Sequence, residues 1–481
     1  LAGIEQPIWA AMIAAYLRTK GVCVDILDCE AFGLTIEQAY SCVKELNPRI
    51  ACVVVYGQQP SASTQNMTGA LELMLRLDEL DIQRAYIGPH PTSLPDKTVQ
   101  DDPNAFICKN EGFKTLELLS AVTDFSDYNK LRKINGLCFL NKETKQIEHT
   151  GIMPIVTNLD EELPLPAWDL LPMGNYRTAN WHSWTNDNEQ KPFASIYTSL
   201  GCPFKCTFCM INSPFNFGET KNNTFRHWSP EKIIDQFEFF ANSGIKNVKI
   251  ADEMFVLKPP HFMRICELIK ERGYDFNIWA YARIDTVREK YLEALKNAGV
   301  NWLGLGIESG SREVRLEVTK GQFQETNIKS IVESIQKAGI CAGGNYIFGL
   351  PTDTHDTMEE TFALSQELQT EYANFYCAMA YPGSQLHRDA VANHPEKLPE
   401  NNGIGWEGYS QHSYECYPLS TDHLTNSEIV KFRDQAFIRY FSDPAYIATM
   451  TKKFGPVFSS QIDRMLATTD YKPLKRRIVV D

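Results

Sequence analysis

The chain has 481 residues and a formal net charge of −13, with 43% hydrophobic and 22% charged residues. This length suggests two or three domains and is sufficient to bury large cores. The acidic balance argues against a general affinity for nucleic acid, which requires a basic surface. No apolar run reaches the roughly 18 residues of a membrane span.

The thirteen cysteines are spread along the whole chain. Ten of them lie mostly in apolar runs such as "IACVVV" and are interpreted as small core residues. The odd total, the lack of a regular framework and the absence of a signal peptide predict a reducing cytoplasm. Because the sequence opens with Leu1 on a helical pattern, we expect a fragment or a processed chain.

Residues 1–125 alternate helix and strand signals, with the runs "VCVDILD", "IACVVVYG" and "RAYIG" between helical stretches. Continuous β-branched runs separated by helices predict a parallel sheet covered on both faces. We therefore predict an α/β fold that begins with a doubly wound, Rossmann-like domain. Its first strand is expected to precede Leu1.

Three further regions follow this domain. Residues 126–190 predict a hairpin, "GLCFLNKETKQIEHTG", and an extended proline-rich linker. From 191 to 390 the alternation returns with six candidate strands, which predict a partial (β/α)6 barrel whose chemistry lies at the C-terminal strand ends. Residues 391–481 predict a small, mainly helical extension, in which the aromatic segment 405–419 either packs against the barrel or covers the site.

The stretch "LGCPFKCTFCMIN" (200–212) places Cys202, Cys206 and Cys209 at the spacing C-x3-C-x2-C, just after the first barrel strand. Structural zinc takes four protein ligands. Three thiolates instead hold three irons of a [4Fe–4S] cluster, and the fourth iron stays open to another ligand. The alternatives are a zinc site completed by a distant histidine, or three unrelated cysteines.

The motif "CPFKCTFC" resembles the signature of the radical S-adenosylmethionine (SAM) superfamily, including the aromatic Phe208 before the third cysteine. In that superfamily the open iron chelates the amino and carboxylate groups of SAM. One electron from the cluster cleaves SAM to a 5′-deoxyadenosyl radical, which abstracts hydrogen from the substrate. The resemblance therefore implies a [4Fe–4S] cluster and SAM as cofactors, and it agrees with the predicted barrel.

The resemblance also implies SAM contacts at successive strand ends of the barrel. The corresponding positions are Asp252, Glu253, Arg283, Glu308, Lys320 and Gly349. Glu308, in "GLGIESGS", is implied to meet the ribose, and Lys320 the SAM carboxylate. Gly349 is implied to lie beside the adenine, where a missing Cβ leaves room for a ligand. For each charged residue a solvated surface charge is the alternative.

The first domain carries neither G-x-G-x-x-G nor a Walker A motif. A doubly wound domain before a radical SAM barrel resembles the cobalamin-dependent radical SAM enzymes, and such domains bind ligands outside their C-terminal strand ends. The stretch "GPHPTSLP" resembles the segment beside the corrin, and "S-x-S-T" and "NEG" resemble segments that contact the nucleotide tail or ring edge. The implied cobalamin contacts are Gln58, Gln59, Ser61, Thr64, Gly88 and His90.

The sequence departs from many cobalamin proteins because it has no D-x-H-x-x-G motif. The resemblance therefore implies cobalamin bound without its dimethylbenzimidazole ligand and without a protein histidine on cobalt. Gln58 or Gln59 would then lie over the lower face. For His90, a loop histidine hydrogen-bonded to backbone is the alternative to a residue facing the corrin.

The resemblance covers nearly the whole chain and implies methylation of an unactivated carbon of a small molecule. Such a carbon has no acidic proton, so its methylation needs a radical, and the cofactors supply that chemistry. The alternatives are a cobalamin-dependent rearrangement or cyclisation without methyl transfer, a radical SAM enzyme with a vestigial cobalamin domain, and a non-enzymatic iron–sulfur or zinc protein. The expected partners are a substrate between the two domains and a one-electron donor such as flavodoxin or ferredoxin. RNA is discounted, and a monomer or weak homo-oligomer is expected.

Overall fold

A computed structural model describes residues 3–57, 59–178, 191–215, 225–319 and 327–468. Within these ranges the strands form a five-stranded sheet, a six-stranded sheet and a two-stranded ribbon. A continuous apolar cluster runs from the helices of the first sheet to those of the second. Among the described helices, none has the length and apolar character that crossing a membrane requires.

The first sheet contains five strands in sequence order. They are β1 Ile50–Val54, β2 Gln83–Ile87, β3 Ala105–Cys108, β4 Leu137–Asn141 and β5 Gln146–His149. Strands β1 to β3 pair in parallel, and β4 and β5 continue the sheet as an antiparallel hairpin. The predicted hairpin is therefore confirmed, and it forms one edge of this sheet.

Nine helices are described around the first sheet. They are α1 Ile8–Thr19, α2 Cys29–Phe32, α3 Ile36–Leu46, α4 Ala62–Arg76, α5 Pro89–Ser93, α6 Pro95–Asp101, α7 Phe113–Ser120, α8 Tyr128–Leu131 and α9 Leu159–Glu162. Helix α1 is apolar on nearly all sides and is almost completely buried. Helix α3 begins at a capping box in which the Thr35 and Gln38 side chains satisfy each other's backbone N–H groups.

The segment "VCVDILD" (22–28) is not a strand, so that part of the prediction is wrong. Val22, Val24 and Ile26 still pack against the core, but the segment has no strand partner in the described sheet. A β-strand needs a neighbouring strand that accepts and donates its backbone hydrogen bonds. The apolar pattern of one segment does not show whether such a neighbour exists. Asp28 then ends the segment by capping helix α2.

The second part of the chain supplies eight strands. They are β6 Phe193–Ile196, β7 Ser199–Leu200, β8 Arg226–His227, β9 Asn247–Ile250, β10 Asn277–Arg283, β11 Val300–Glu308, β12 Cys341–Phe348 and β13 Tyr372–Cys377. Six of these strands form one parallel sheet in the order β13-β12-β11-β10-β9-β6, while β7 and β8 pair as a short ribbon. The predicted six-stranded parallel barrel is confirmed.

Helices alternate with these strands and continue to the end of the described chain. They are α10 Pro230–Asn242, α11 Pro259–Glu271, α12 Glu289–Asn297, α13 Arg312–Thr319, α14 Ile328–Lys337, α15 His355–Leu368, α16 Gln385–Asn393, α17 Asn426–Phe441, α18 Pro444–Phe454 and α19 Val457–Thr468. The last three confirm the predicted helical extension. The exact residues at which the domains begin and end stay a prediction.

A buried ion pair joins the two parts of the molecule. Glu111, in the "NEG" stretch after β3, binds Arg226 of β8, with 2.7 Å between Glu111 Oε1 and Arg226 Nη1. Both side chains are buried, and the Val156 N–H also donates to Glu111. Burying two charges is tolerable when they pair with each other, as these two do. The ion pair therefore fixes the first sheet relative to the barrel mouth.

Candidate active site

The cysteine loop follows β7 and lies at the C-terminal end of the barrel sheet. Two hydrogen bonds hold its base, because the Asn212 side chain accepts from the Cys202 N–H at 3.1 Å and donates to the Cys202 carbonyl at 2.9 Å. The Cys209 N–H donates to the Cys206 carbonyl at 3.1 Å, which makes a tight turn between these two thiols. The loop therefore presents three thiols from a rigid, short segment.

Two backbone hydrogen bonds connect the middle of the loop to helices α13 and α16. The Thr207 N–H donates to the carbonyl of Val318 in α13 at 3.1 Å, and the Thr207 carbonyl accepts from the Leu386 N–H in α16 at 2.9 Å. Phe208 packs on apolar side chains near the same two helices. Burial raises the pKa of the Cys202 thiol to about 12. The thiols are thus protonated until a metal displaces their protons.

Arg283, at the end of β10, lies directly against the cysteine loop. Its Nη1 donates to the Cys206 sulfur at 3.4 Å, and its guanidinium lies 4.1 Å from the centre of the Phe204 ring. Asp285 holds the same guanidinium through two 3.0 Å hydrogen bonds. Burial raises the pKa of Cys206, and the neighbouring Arg283 charge partly offsets this rise. Arg283 therefore favours the thiolate form of Cys206.

Two carboxyl groups stand at neighbouring positions of the barrel mouth, Glu253 after β9 and Glu308 at the end of β11. Burial raises the pKa of each to about 7; the neighbouring Asp252 adds to the rise at Glu253, and Glu253 adds to the rise at Glu308. No described residue donates a hydrogen bond to either carboxyl. Glu308 has the left-handed backbone conformation, with φ of 66°, and its carboxyl lies over Gly306, where a Cβ would be 2.7 Å from Glu308 Oε1.

Asp252 and Gly349 lie away from this mouth. The Asp252 carboxylate accepts hydrogen bonds from the Thr198 N–H and from the hydroxyl groups of Thr198 and Ser199, so it joins the end of β9 to the segment before the cysteine loop. Gly349 has φ of 78°, and a Cβ there would contact the Ile429 side chain of α17 at 2.6 Å. Both residues have close protein neighbours, and their predicted cofactor contacts stay predictions.

The N-terminal domain supplies the opposite wall through the loop that precedes α4. Gln59 and Ser61 face the cavity, together with Gln65 of α4. Predicted contacts Gln58 and Lys320 lie outside the described residues. The wall contributed by this domain is thus neutral and polar in the part that the structure describes.

Thr64, Gly88 and His90 lie behind this wall rather than on it. His90 is 1% exposed, its Nδ1 lies 3.4 Å from the Thr64 hydroxyl, and its ring packs edge-on against Trp406 at 4.5 Å. Burial lowers the pKa of His90 to about 3, so the ring is neutral. Gly88 has φ of 147°, and a Cβ there would lie 2.1 Å from the Val55 carbonyl oxygen. Only glycine can therefore bring the backbone of residue 88 so close to the backbone that follows β1.

One cavity of about 450 Å³ lies between these two walls. Its lining residues come from the N-terminal loop, the cysteine loop, the ends of β9 to β13 and the segment 405–419, which we call the cap segment. Tyr281, Tyr376 and Tyr381 add aromatic surface to the barrel side. The structure therefore brings Cys202, Cys206, Cys209, Phe208, Glu253, Arg283, Glu308, Gln59 and Ser61 of the sequence prediction to one cavity. Their cofactor contacts stay predictions.

The cap segment both packs against the barrel and lines the cavity. The Gln411 side chain accepts from the Cys377 N–H at 2.9 Å and donates to the Cys377 carbonyl at 2.8 Å, so its amide pairs with the end of the edge strand β13. Gln411 and His412 line the cavity. On the other side, Trp406 contacts His90. The cap segment therefore connects the barrel with the first domain.

Sequence reasoning missed Asn212 and Gln411, although both hold the site in shape. Asn212 lies ten residues from Cys202, within the stretch that carries the signature, and an Asn after a loop of this kind is a signal for side-chain bonds to backbone. Gln411 has no such local signal, because its partner Cys377 is 34 residues earlier in the chain.

Residues 196–365 match the family model described as the radical SAM superfamily. Over 443 residues the chain is 28% identical to an uncharacterized methyltransferase of Pyrococcus horikoshii, which covers 91% of this chain and 88% of that protein. It is 23% identical over 397 residues to an anaerobic magnesium-protoporphyrin IX monomethyl ester cyclase of Cereibacter sphaeroides. That match covers 81% of this chain but only 61% of the cyclase.

Two solved structures have a similar fold over almost the whole chain. The cobalamin-dependent S-adenosylmethionine radical enzyme OxsB, with aqua-cobalamin bound, matches with a TM-score of 0.66 at 17% identity and covers 98% of this chain and 70% of that one. The radical SAM methyltransferase TsrM from Kitasatospora setae, with tryptophan and a SAM analogue, has a TM-score of 0.63 at 16% identity and covers 97% of each chain. The predicted fold class is thereby confirmed, and residues 196–365 resemble the radical SAM superfamily as the cysteine motif predicts.

Proposed function

We propose that the protein is a cobalamin-dependent radical SAM methyltransferase acting on an unactivated carbon of a small molecule, because residues 196–365 match the radical SAM superfamily model and the fold is similar to that of OxsB and TsrM. The observation that carries this proposal is the cavity of about 450 Å³, which the cysteine loop and the N-terminal loop enter from opposite walls. Two cofactors held on facing walls leave the space between them for the substrate.

The cysteine loop fits an iron–sulfur cluster by its donor set. Cys202, Cys206 and Cys209 supply three thiolates from a loop that Asn212 holds in one conformation, and three thiolates leave one iron of a [4Fe–4S] cluster open. Arg283 adds a fixed positive charge beside Cys206, which stabilises a thiolate and the negative charge of a ligated cluster. When bound, the cluster, SAM and cobalamin supply an electron, a carbon-centred radical and a transferable methyl group.

Glu253 and Glu308 fit the polar groups of SAM. Both carboxyls line the cavity and receive no hydrogen bond from a described residue, so each can accept one from an amino group or from ribose hydroxyls. A cationic ligand also lowers their raised pKa values towards the ordinary value, since an opposite charge favours the ionised form. Binding of SAM therefore relieves the cost of holding two carboxyls in a shielded position.

The N-terminal wall fits an uncharged macrocycle edged with amide groups. Gln59, Ser61 and Gln65 offer neutral donors and acceptors to the cavity. His90 is already in contact with Thr64 and Trp406. These contacts of His90 support the expectation that His90 is not a ligand of cobalt. We place the reaction in the cytoplasm, with flavodoxin or ferredoxin as the electron donor.

Cyclisation without methyl transfer is the second candidate, because the chain is also similar to a cyclase over 81% of its length. Both reactions begin with hydrogen removal and use the same walls of the cavity. They differ in the second use of SAM, since only methyl transfer converts SAM to S-adenosylhomocysteine.

The test is anaerobic reconstitution with iron, sulfide and hydroxocobalamin, followed by metal counting and product analysis under reduction with SAM. The proposal expects about four irons and one cobalamin per chain. With substrate, it expects S-adenosylhomocysteine and 5′-deoxyadenosine in about equal amounts, because each methylation uses SAM once in each way. 5′-Deoxyadenosine without S-adenosylhomocysteine would favour cyclisation. Four irons without cobalamin would contradict both candidates and leave a plain radical SAM enzyme.

A further inference from the structure

A second group of metal-ligating side chains lies outside the cavity, on the hairpin edge of the first sheet. Cys138 in β4 and His149 in β5 are directly opposite each other in the antiparallel pair. Asp96 lies in the first turn of α6, which packs on β3 and β4. One ligand atom from each of the three residues lies within 4.8 Å of the other two. Three separate elements therefore place a sulfur, a nitrogen and an oxygen together.

The distances between these atoms suit a small ion. Cys138 Sγ lies 3.8 Å from His149 Nε2, and His149 Nε2 lies 2.5 Å from Asp96 Oδ1. Tetrahedral zinc with bonds of about 2.0 to 2.3 Å separates its ligand atoms by roughly 3.3 to 3.6 Å. Small side-chain rotations of the exposed His149 and Asp96 reach this spacing, and neither strand has to move.

The chemistry of the ligands selects the class of ion. A thiolate and an imidazole favour zinc and its transition-metal neighbours, whereas magnesium and calcium prefer oxygen ligands. Cys138 is fully buried, while the His149 and Asp96 side chains are 40% and 59% exposed. An ion can therefore reach the site from solvent, and a fourth position remains open to water. We propose that Cys138, His149 and Asp96 form a zinc site that fastens α6 to the hairpin.

Lys109 is a positively charged residue that interacts with two of the proposed ligands, Cys138 and Asp96. It is half-buried, and burial lowers its pKa while Cys138 and Asp96 partly restore it. The positive charge of Lys109 repels a divalent cation bound by these ligands, so it weakens zinc binding although it leaves every ligand in place. Replacing Lys109 by a neutral residue of similar length should accordingly tighten zinc binding. If His149 and Asp96 formed only a surface ion pair without a metal, this replacement would produce no such effect.

The test counts zinc in the reconstituted holoenzyme after incubation with zinc chloride and desalting, because elemental analysis separates zinc from the iron and cobalt of the cofactors. We expect about one zinc per chain, with a roughly 100-fold loss of affinity in Cys138→Ala. His149→Gln and Asp96→Asn change exposed side chains, so they remain informative if the buried variant misfolds. Both should release zinc. Lys109→Met should bind it several-fold more tightly.

The control is Cys266→Ala, which removes an equally buried thiol from barrel helix α11 and should keep the zinc. Zinc that persists in His149→Gln and Asp96→Asn would overturn the proposal, as would a wild-type holoenzyme that retains no zinc.

Discussion

The two walls of the cavity differ in chemistry although both lie at the C-terminal ends of parallel strands. The barrel wall carries three thiols, the two carboxyls Glu253 and Glu308, and the guanidinium of Arg283. The N-terminal wall contributes the neutral side chains Gln59, Ser61 and Gln65. Strand ends of this kind bind ligands in both folds, so the side chains rather than the architecture decide which ligand is held.

The difference has a mechanistic meaning under the proposed function. Charged and ionisable groups suit the wall where an electron arrives and a charged co-substrate binds. Neutral groups suit a wall that only holds a large uncharged ring in place, because neutral amides and hydroxyls bind without paying for a buried unpaired charge. Each wall should therefore be separable from the other by mutation.

The largest expected effect is on the barrel wall alone. Replacing Cys202, Cys206 or Cys209 by alanine should lower 5′-deoxyadenosine formation by more than about 1000-fold, because each thiolate holds one iron of the cluster. Cobalamin retention should stay close to that of the wild type. Iron, sulfide and cobalamin counts check both statements, and Cys266→Ala is the control. Loss of cobalamin in the cysteine variants would contradict the claim that the two walls bind their cofactors independently.

The converse change affects the N-terminal wall. Ser61→Phe fills the space beside Gln59 with a ring, so it should weaken cobalamin retention at least tenfold and reduce methylation by about 100-fold. SAM cleavage should remain within about threefold of the wild type, because the barrel wall is untouched. Ser41→Phe, on exposed helix α3, is the matched control. Equal losses of cleavage and methylation would show that the walls act as one unit.

The raised pKa values of Glu253 and Glu308 predict a pH dependence of stability. In the cofactor-free protein both groups keep their protons up to about pH 7, whereas in the unfolded chain they release them near 4.5. The folded state thus binds more protons between these values, so the free energy of unfolding should fall as pH rises from 4.5 to 7. The total fall over this pH range should be roughly 3 kcal/mol per carboxyl at most.

Chemical denaturation at several pH values measures this dependence. In the double variant Glu253→Gln and Glu308→Gln, the fall should be smaller over the same range. Glu313→Gln, near the start of α13, is the control and should leave the slope unchanged. A double variant with the same slope as the wild type would mean that other groups cause the dependence.

Activity should depend on the same two carboxyls in the opposite direction. The ionised form binds a cationic ligand, so SAM cleavage at low SAM concentration should rise with pH through about 7. Glu308→Gln should reduce kcat/KM for SAM by about 30-fold and flatten this profile. A pH profile of 5′-deoxyadenosine formation checks it. An unchanged profile would remove Glu308 from the binding site.

The smallest effect is expected where the cap segment meets the barrel. Gln411→Leu keeps the size of the side chain but removes both hydrogen bonds to Cys377, so KM for the substrate should rise about fivefold with little change in SAM cleavage without substrate. Gln461→Leu in α19 is a control far along the chain from the cap segment. A change in SAM cleavage of the same size would assign Gln411 to the barrel wall instead.

The sequence was sufficient to predict the parts of the site whose signals are local. The spacing of Cys202, Cys206 and Cys209 requires only a loop, and the family resemblance pointed to Arg283 and Glu308 through short motifs at the ends of apolar strands. Asp252 and Glu253 are adjacent, however, and their side chains have different surroundings. Only the register of β9 decides which of the two reaches the cavity.

The surroundings of Gly349 and His90 also depend on distant partners. At Gly349 a Cβ would meet the Ile429 side chain of α17, and the predicted contact with adenine stays a prediction. His90 was predicted near the corrin, and its neighbours include Trp406, more than 300 residues later in the chain. A pattern in one segment cannot specify which remote side chain will occupy the space beside it.

The hydrogen bonds between Gln411 and Cys377 also cover backbone groups at the edge of the barrel sheet. An open barrel leaves the outer edge of β13 with backbone groups that another chain's strand can pair with. The Gln411 amide saturates the N–H and carbonyl of Cys377 at this edge, and the Leu419 N–H does the same for the Ala378 carbonyl. The cap segment therefore also protects the edge of the sheet from pairing with another chain. A chain ending at residue 390 lacks this protection and should aggregate during expression.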